Sequence, residues 1–412
     1  MNTSKAEQLT FGAYGHTLHH QQVISPDGQW IVYDTRNEDS AIGTTSRIER
    51  VHIESKAVEV LYETSNASAY GPGVGAVTYS PNEDKVLFIH GLNNASEQFP
   101  YAMDRRSGVG IDCCFPQQPI HFDARQVEKP FIKGALRGGT HSHSWHRNGQ
   151  LISFTYNDEV LSQQGITNER TVGVMFPKAV KVELENDSNF SGQYFSVLLT
   201  DIVRQAEFGS DQIEKAFDEC WIGETNQIAF QGWVREEDGQ QKTEIFIATI
   251  DFNRLTDCEL GNESTYPCVS NAVELKRVTR TPKGVSTFRY WLRSSVDGKF
   301  IYFLMDDAFG VCNIHQLSVE NGEIKPITTH DTSIYSPFNV SKDGQQFVYF
   351  CGNNLVYFNL LNNQYINMIA DNVDLYGIPN FDKNEENILF NSYVADDSTS
   401  KFLQIFKISV PK

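Results

Sequence analysis

Two histidines one residue apart, His141 and His143, stand in Leu136-Arg-Gly-Gly-Thr-His-Ser-His-Ser-Trp-His146, the stretch of this chain densest in chemically able groups. In a strand, residues two apart share a face, so both imidazoles are expected on one side, with Trp145 continuing that face inward. Two imidazoles on adjacent rungs supply half of a metal site. The remaining ligands must come from other parts of the fold.

The element that must position them is a repeat. Ser25-Pro-Asp-Gly-Gln-Trp-Ile-Val-Tyr33, a polar turn followed by an aliphatic-aromatic triplet, has degraded copies at Ser80–Phe88, His146–Phe154, Ile222–Phe230, Ser295–Phe303, Ser341–Tyr349 and Asp382–Phe390. Copies about 40 to 75 residues apart fall in the range of propeller arrays with long insertions. Each turn joins the innermost strand of a unit to the next strand outward, and Asp-Gly supplies the positive φ that tight hairpins need. Four strand-like runs per copy predict an all-β, seven-bladed β-propeller with four-stranded blades.

In the first blade the predicted strands are 20–25, 30–34, 50–54 and 58–63, and closing strands are predicted at 273–279, 324–329 and 364–370. The last blade runs out of chain after 402–410, and Glu7-Gln-Leu-Thr-Phe11 resembles a closing strand. The N-terminal segment is therefore expected to complete blade seven and remove the open edge. Residues 1–412 read as one domain, with longer segments near 93–137 and 156–215.

Alignment on the turn places His20, Gly75, Phe217, Tyr290, Ser336 and Gly377 level with His141, and Gln22, Val77, Glu219, Leu292, Phe338 and Pro379 level with His143. Innermost strands surround the central channel. His20, Gln22, Glu219, Tyr290, His141 and His143 are thus expected at one mouth, with Arg137, Arg289 and Arg293 close in sequence. Gln22 and Glu219 are the candidates to complete a metal site around His141 and His143. Tyr290 beside Trp291 also reads as inter-blade packing, because aromatics dominate such cores. Arg289 and Arg293 also read as ordinary ion-pair residues.

Composition narrows the partners. A net charge of −18 argues against nonspecific binding to nucleic acid or anionic membrane, which need a basic footprint, but leaves room for a local basic cluster. The N-terminal residues have no apolar core and no run of about 18 apolar residues occurs, so a cytoplasmic, soluble chain is expected. Seven cysteines without Cys-x-x-Cys spacing fit neither a zinc ribbon nor a disulfide framework. Gly-x-Ser-x-Gly and His-Glu-x-x-His are both absent, against a serine-hydrolase propeller or a zinc protease.

Leu136-Arg-Gly-Gly-Thr-His-Ser-His, Ser153-Phe-Thr-Tyr-Asn-Asp158, Ile48-Glu-Arg-Val-His-Ile53, Phe88-Ile-His-Gly91, Gly209-Ser-Asp-Gln-Ile213 and Trp221-Ile-Gly together resemble the YidR-type bacterial propellers over most of the chain. More distantly, the Ser-Pro-Asp-Gly repeats are similar to TolB propellers, and His-x-His before a turn resembles the metal motif of oligogalacturonate lyases. That second resemblance implies a divalent metal, manganese first with zinc or calcium as alternatives, and an acidic oligosaccharide cleaved by β-elimination. Arg137, Arg289 or Arg293 would pair the uronate carboxylate, and His20 or Tyr290 would act as base or acid. The glutamine of that motif, three residues before His141, is Gly138 here, leaving Gln22 or Glu219 to complete the ligand set. The TolB resemblance implies instead a noncatalytic module that binds a protein or peptide.

Overall fold

The recurring turn is held by its own side chains. Ser25 Oγ donates to Asp27 Oδ1 at 2.5 Å and accepts the Trp30 N–H at 2.9 Å, while Asp27 Oδ1 also accepts the Gln29 N–H at 3.0 Å. Ser295 with Asp297, and Ser341 with Asp343, repeat the same three bonds. Gly28, Gly298 and Gly344 follow at φ 77°, 70° and 73°, a region an L side chain resists. Serine, aspartate and glycine recur because each satisfies a separate demand of one tight loop.

The computed structural model describes residues 5–166, 169–369, 373–396 and 400–411. It is a seven-bladed β-propeller. Blade two is built from Val74–Tyr79, Lys85–Gly91, Arg106–Asp112 and Ile120–His121, and blade four from Lys215–Trp221, Gln227–Arg235, Gln241–Ile250 and Val273–Arg277. Blades five and six have short innermost strands, Arg293–Ser294 and Asn339–Val340, and close on Ile324–Pro326 and Gln364–Asn367. The predicted closing strands are thus present but shorter, and Ala370, the predicted end of the third of them, lies outside the described residues.

Blade seven contains Asp374–Phe381, Asn387–Ala395 and Lys401–Ser409, and its fourth strand is Glu7–Gln8, paired antiparallel to Lys401–Ser409. The ring closes as the chain ends predict. Leu9 N–H continues the ladder to Ile405 O at 2.8 Å.

Blade one departs from the expected pattern. The segment 20–25 predicted as its innermost strand meets the next strand at the bridge Ile24–Ile31, a second bridge, Thr17–Asp34, lies before that segment, and the third strand is Arg47–His52. The left-handed Gln22, at φ 56°, interrupts regular pairing there.

The two long segments hold the outer strands of their own blades. Residues 93–137 contain Arg106–Asp112 and Ile120–His121, and 156–215 contain Thr171–Val180 and Gly192–Leu198 of blade three. Blade three, begun by Gly138–Trp145 and Ile152–Asp158, is widened to six strands by the hairpin Cys258–Glu259 and Val269–Ser270, where Val269 pairs parallel to Leu198.

The triplets build the core. Tyr33, Phe88, Phe154, Phe230, Phe303, Tyr349 and Phe390, the aromatic ends of the seven repeats, are all fully buried. Each lies on a second strand covered on both faces by neighbouring blades, which is why the repeat keeps three consecutive apolar residues where a half-exposed strand would alternate.

Candidate functional site

Four innermost strands slip register near mid-strand: between Gly75 and Thr78, His141 and Ser144, Phe217 and Cys220, and Tyr376 and Asn380. Ala76, Ser142, Asp218 and Gly377 adopt φ of 56°, 55°, 52° and 76° within these bulges. A bulge adds a residue to one strand and breaks the two-residue alternation. His141 and His143 flank such a residue, and their rings have different surroundings.

His143 Nε2 lies 3.0 Å from Thr140 Oγ1, which donates to Asp123 Oδ2 at 2.9 Å, and Asp123 Oδ1 accepts the Gly108 N–H at 2.7 Å. The ring packs so closely on blade two that a Cβ on Gly108 would stand 2.9 Å from Nε2. Burial pushes the His143 imidazole down to about 3 and the Asp123 carboxyl up to about 6. His141 has neither ring nitrogen hydrogen-bonded. Burial, then the charges of Arg106, Arg170 and Arg289, hold it neutral well below the usual histidine range.

Those three arginines come from different blades. Arg106 opens the third strand of blade two opposite Gly91, and Arg170 stands one rung beyond the Tyr156–Thr171 pair, the same place in blade three. Arg106 donates to the Tyr101 hydroxyl at 2.7 Å while its Nε is buried without a partner. Arg170 donates to Met103 Sδ at 3.2 Å. Among the described residues neither has a carboxylate partner in an ion pair. Arg289 pairs with Asp39 at 2.9 Å, lies 4.8 Å over the Trp291 ring and keeps 47% of its side chain exposed.

Beside them Asp218 is buried with Oδ1 unpartnered, and burial raises it to about 6 against the pull of Arg289 and Arg170. Arg170, Asp218 and Arg289 also line a cleft of about 270 Å³ between blades four and five. This mouth gathers cations, a neutral imidazole and a carboxyl group whose proton affinity burial raises. It can hold an anion and move a proton.

The remaining predicted residues are occupied elsewhere. His20 stacks on Trp291, centroids 4.2 Å apart and planes 1° from parallel, with Arg293 Nη2 3.3 Å from its Nδ1. Arg293 also donates to Asn339 Oδ1 at 2.7 Å and to the His20 and Leu292 carbonyls, and burial lowers its guanidinium to about 10. Asn339 donates in turn to the His20 and Pro379 carbonyls. These residues tie blades one, five, six and seven together across the channel. Their polar atoms are used in that plug.

Gln22 spends both ends of its amide on the Trp145 backbone, donating to O at 2.7 Å and accepting from N at 2.9 Å. Glu219 accepts from Thr155 Oγ1 at 3.2 Å, and burial raises it to about 8. Tyr290 donates to Leu304 O at 3.1 Å inside the core of blades four and five, the packing alternative given for it. Arg137 pairs with Asp158 at 2.9 Å and donates to the carbonyls of Asn262 and Thr265, clamping the hairpin beside blade three.

The four expected metal ligands do not converge. Among the described residues no group of three or more His, Cys, Asp or Glu is placed to hold an ion. Gln22 is committed to the backbone, the bulge sets His143 against Thr140, and His141 faces the field of three arginines that a dication would oppose. These residues do not fit a divalent metal.

Sequence reading missed Arg106, Arg170 and Asp218. The signal was present in the blade register: Arg106 opens the third strand of blade two, and Arg170 immediately precedes that of blade three at the equivalent level.

The YidR protein of Escherichia coli strain K12, described as uncharacterized, is 33% identical to this chain over 352 residues, 82% of this chain and 83% of its own length. The chain belongs to the YidR family. A family described as protein of unknown function DUF3748 matches residues 73–190, the span carrying His141, His143, Arg106 and Arg170. An oligogalacturonate lyase solved in complex with manganese aligns at TM-score 0.57 and 12% identity, covering 100% of this chain and 99% of that one. The β-propeller domain of the Trilobed protease from Pyrococcus furiosus, described as having an open velcro topology, aligns at TM-score 0.53 and 11% identity over 97% and 98% of the two chains. At such identities the likeness is one of fold. Where that propeller is described as open, the YidR-family ring described here is closed by Glu7–Gln8.

Proposed function

We propose that this propeller binds an acidic saccharide at the arginine-lined mouth and cleaves it by β-elimination without a metal. The observation that carries the reading is His141: an enclosed imidazole with both nitrogens unpartnered, in the field of Arg106, Arg170 and Arg289, in a chain of net charge −18. Arg106 and Arg170, which among the described residues lack carboxylate partners, are suited to a ligand carboxylate, which they neutralise and orient. Neutralisation lowers the cost of forming a carbanion on the carbon that bears the carboxylate.

His141 takes the proton from that carbon, a double bond forms to the next carbon, and the glycosidic C–O bond breaks. The departing oxygen receives a proton from Asp218, whose elevated affinity for protons keeps a protonated fraction near neutral pH. The resemblance in fold to an oligogalacturonate lyase supports the substrate class. The arginines take the place of the expected metal.

Incubation with pectic, alginate and ulvan oligomers, read by the absorbance of the unsaturated product, tests this. Product is expected with wild type, is expected to persist in the presence of chelator, and should be lost in His141→Ala. Binding without product would make the mouth a noncatalytic receptor for the same ligand, and absence of both would overturn the reading.

A further inference from the structure

The cleft between blades four and five holds the densest positive charge among the described cavities. Arg170, Lys215, Lys242, Lys283 and Arg289 line it, with Asp218 as the one carboxylate in the lining. The chain as a whole has 34 basic residues against 52 acidic ones, so chance scatter would favour the opposite sign. Lys215 is balanced by Glu169 at 3.3 Å and Arg289 by Asp39 at 2.9 Å. Arg170, Lys242 and Lys283 have no carboxylate in ion-pair contact among the described residues. Like charges gathered around one cleft repel one another, and an anion relieves that cost.

The cleft also has an aromatic wall. Trp233 and Phe217 meet edge to face at 6.1 Å, and Lys215 Nζ lies 4.2 Å over the Trp233 ring, which fixes the cation above an apolar surface. An aromatic wall with cations above it suits a ring whose C–H face is apolar and whose rim carries acid groups. The volume of about 270 Å³ is near the lower end for small-ligand pockets and suits a single ring. Arg170 and Arg289, which line the cleft, are also among the charges that act on His141, so the cleft and the imidazole share two cations.

We infer that the cleft is a second anion subsite, and that the ligand is a polyanion of at least two linked rings with an acid group at the mouth and another in the cleft. The inference rests on the reading that the mouth takes an acidic ligand, and it extends that reading to chain length. Lys242 and Lys283 are the residues that select for the second acid group. Neither is among the three arginines that hold His141 neutral.

Equilibrium titration with trigalacturonate, galacturonate and neutral maltotriose, followed by tryptophan emission, tests the subsite on wild type and on a Lys242→Gln, Lys283→Gln double variant. Wild type is expected to bind the trimer at least tenfold more tightly than the monomer, about 1.4 kcal/mol, and maltotriose not at all. The double variant should lose that preference while binding the monomer as before, with a shallower dependence of affinity on salt and an unchanged unfolding midpoint. Equal trimer affinity in wild type and double variant, or no trimer binding by wild type, would overturn the inference. The titration detects binding without turnover, so a failed elimination assay leaves its outcome readable.

Discussion

Thr10 donates its hydroxyl proton to the Gln404 side-chain carbonyl at 3.0 Å, joining residues 394 positions apart. Thr10 Oγ1 also accepts the Ile405 N–H at 2.8 Å, and Gln404 Nε2 donates to Gly12 O at 3.0 Å. The closing strand is only two residues long, so much of the closure is carried by this side-chain lock and by Leu9. Leu9 is fully buried with Leu18, Ile31, Leu389 and Ile405.

Leu9→Ala is therefore expected to lower stability by about 2–5 kcal/mol, the range for a buried leucine whose cavity does not collapse. Urea unfolding followed by tryptophan emission would measure it. A change below about 0.5 kcal/mol would mean that closure contributes little to the ring.

Glu219 makes a pH-dependent prediction. Its folded carboxyl is raised to about 8 from an ordinary 4.5 by burial, so between those values the folded state keeps a proton that the unfolded state releases. Its contribution is complete below the unfolded value and is lost as pH rises toward 8. Glu219→Gln removes the effect. The wild type should therefore lose stability relative to Glu219→Gln between pH 5 and pH 8, seen as diverging urea midpoints, and a constant gap would contradict the assignment.

The cysteines give a third expectation. All seven are free, Cys114 is exposed, and the other six are buried. A thiol-specific chromogenic reagent should modify one group quickly in the native protein and seven after denaturation, with Cys114→Ser abolishing the fast phase. Burial raises the Cys113 and Cys220 thiols, to about 12 in the case of Cys220, which slows their reaction further.

The ring was legible because its information is local. Ser25, Asp27 and Gly28 build one turn from neighbours in sequence, and the apolar triplet after each turn reports burial on both faces. The velcro strand was legible from a shortage of chain at the other end. The site was legible only in part. The repeat placed Arg289 and His141 at one mouth, but it ranked His20, Gln22 and Arg293 beside them, and these are bonded into the channel plug and the blade walls. Depth along an innermost strand depends on register, and a bulge at a residue such as Ser142 changes register without any glycine to announce it. Arg106 and Arg170 were hidden because they lie at the starts of third strands, outside the repeat used as a ruler.

The bulges have a consequence for how anything can sit in this channel. Blades two, three, four and seven carry them, whereas blades five and six line the same channel with short, regular strands. Turning a ligand by one blade therefore brings it against a wall of different shape and different charge. A ring assembled from one repeated unit thus ends without rotational equivalence at its centre, each blade presenting the channel with its own contour.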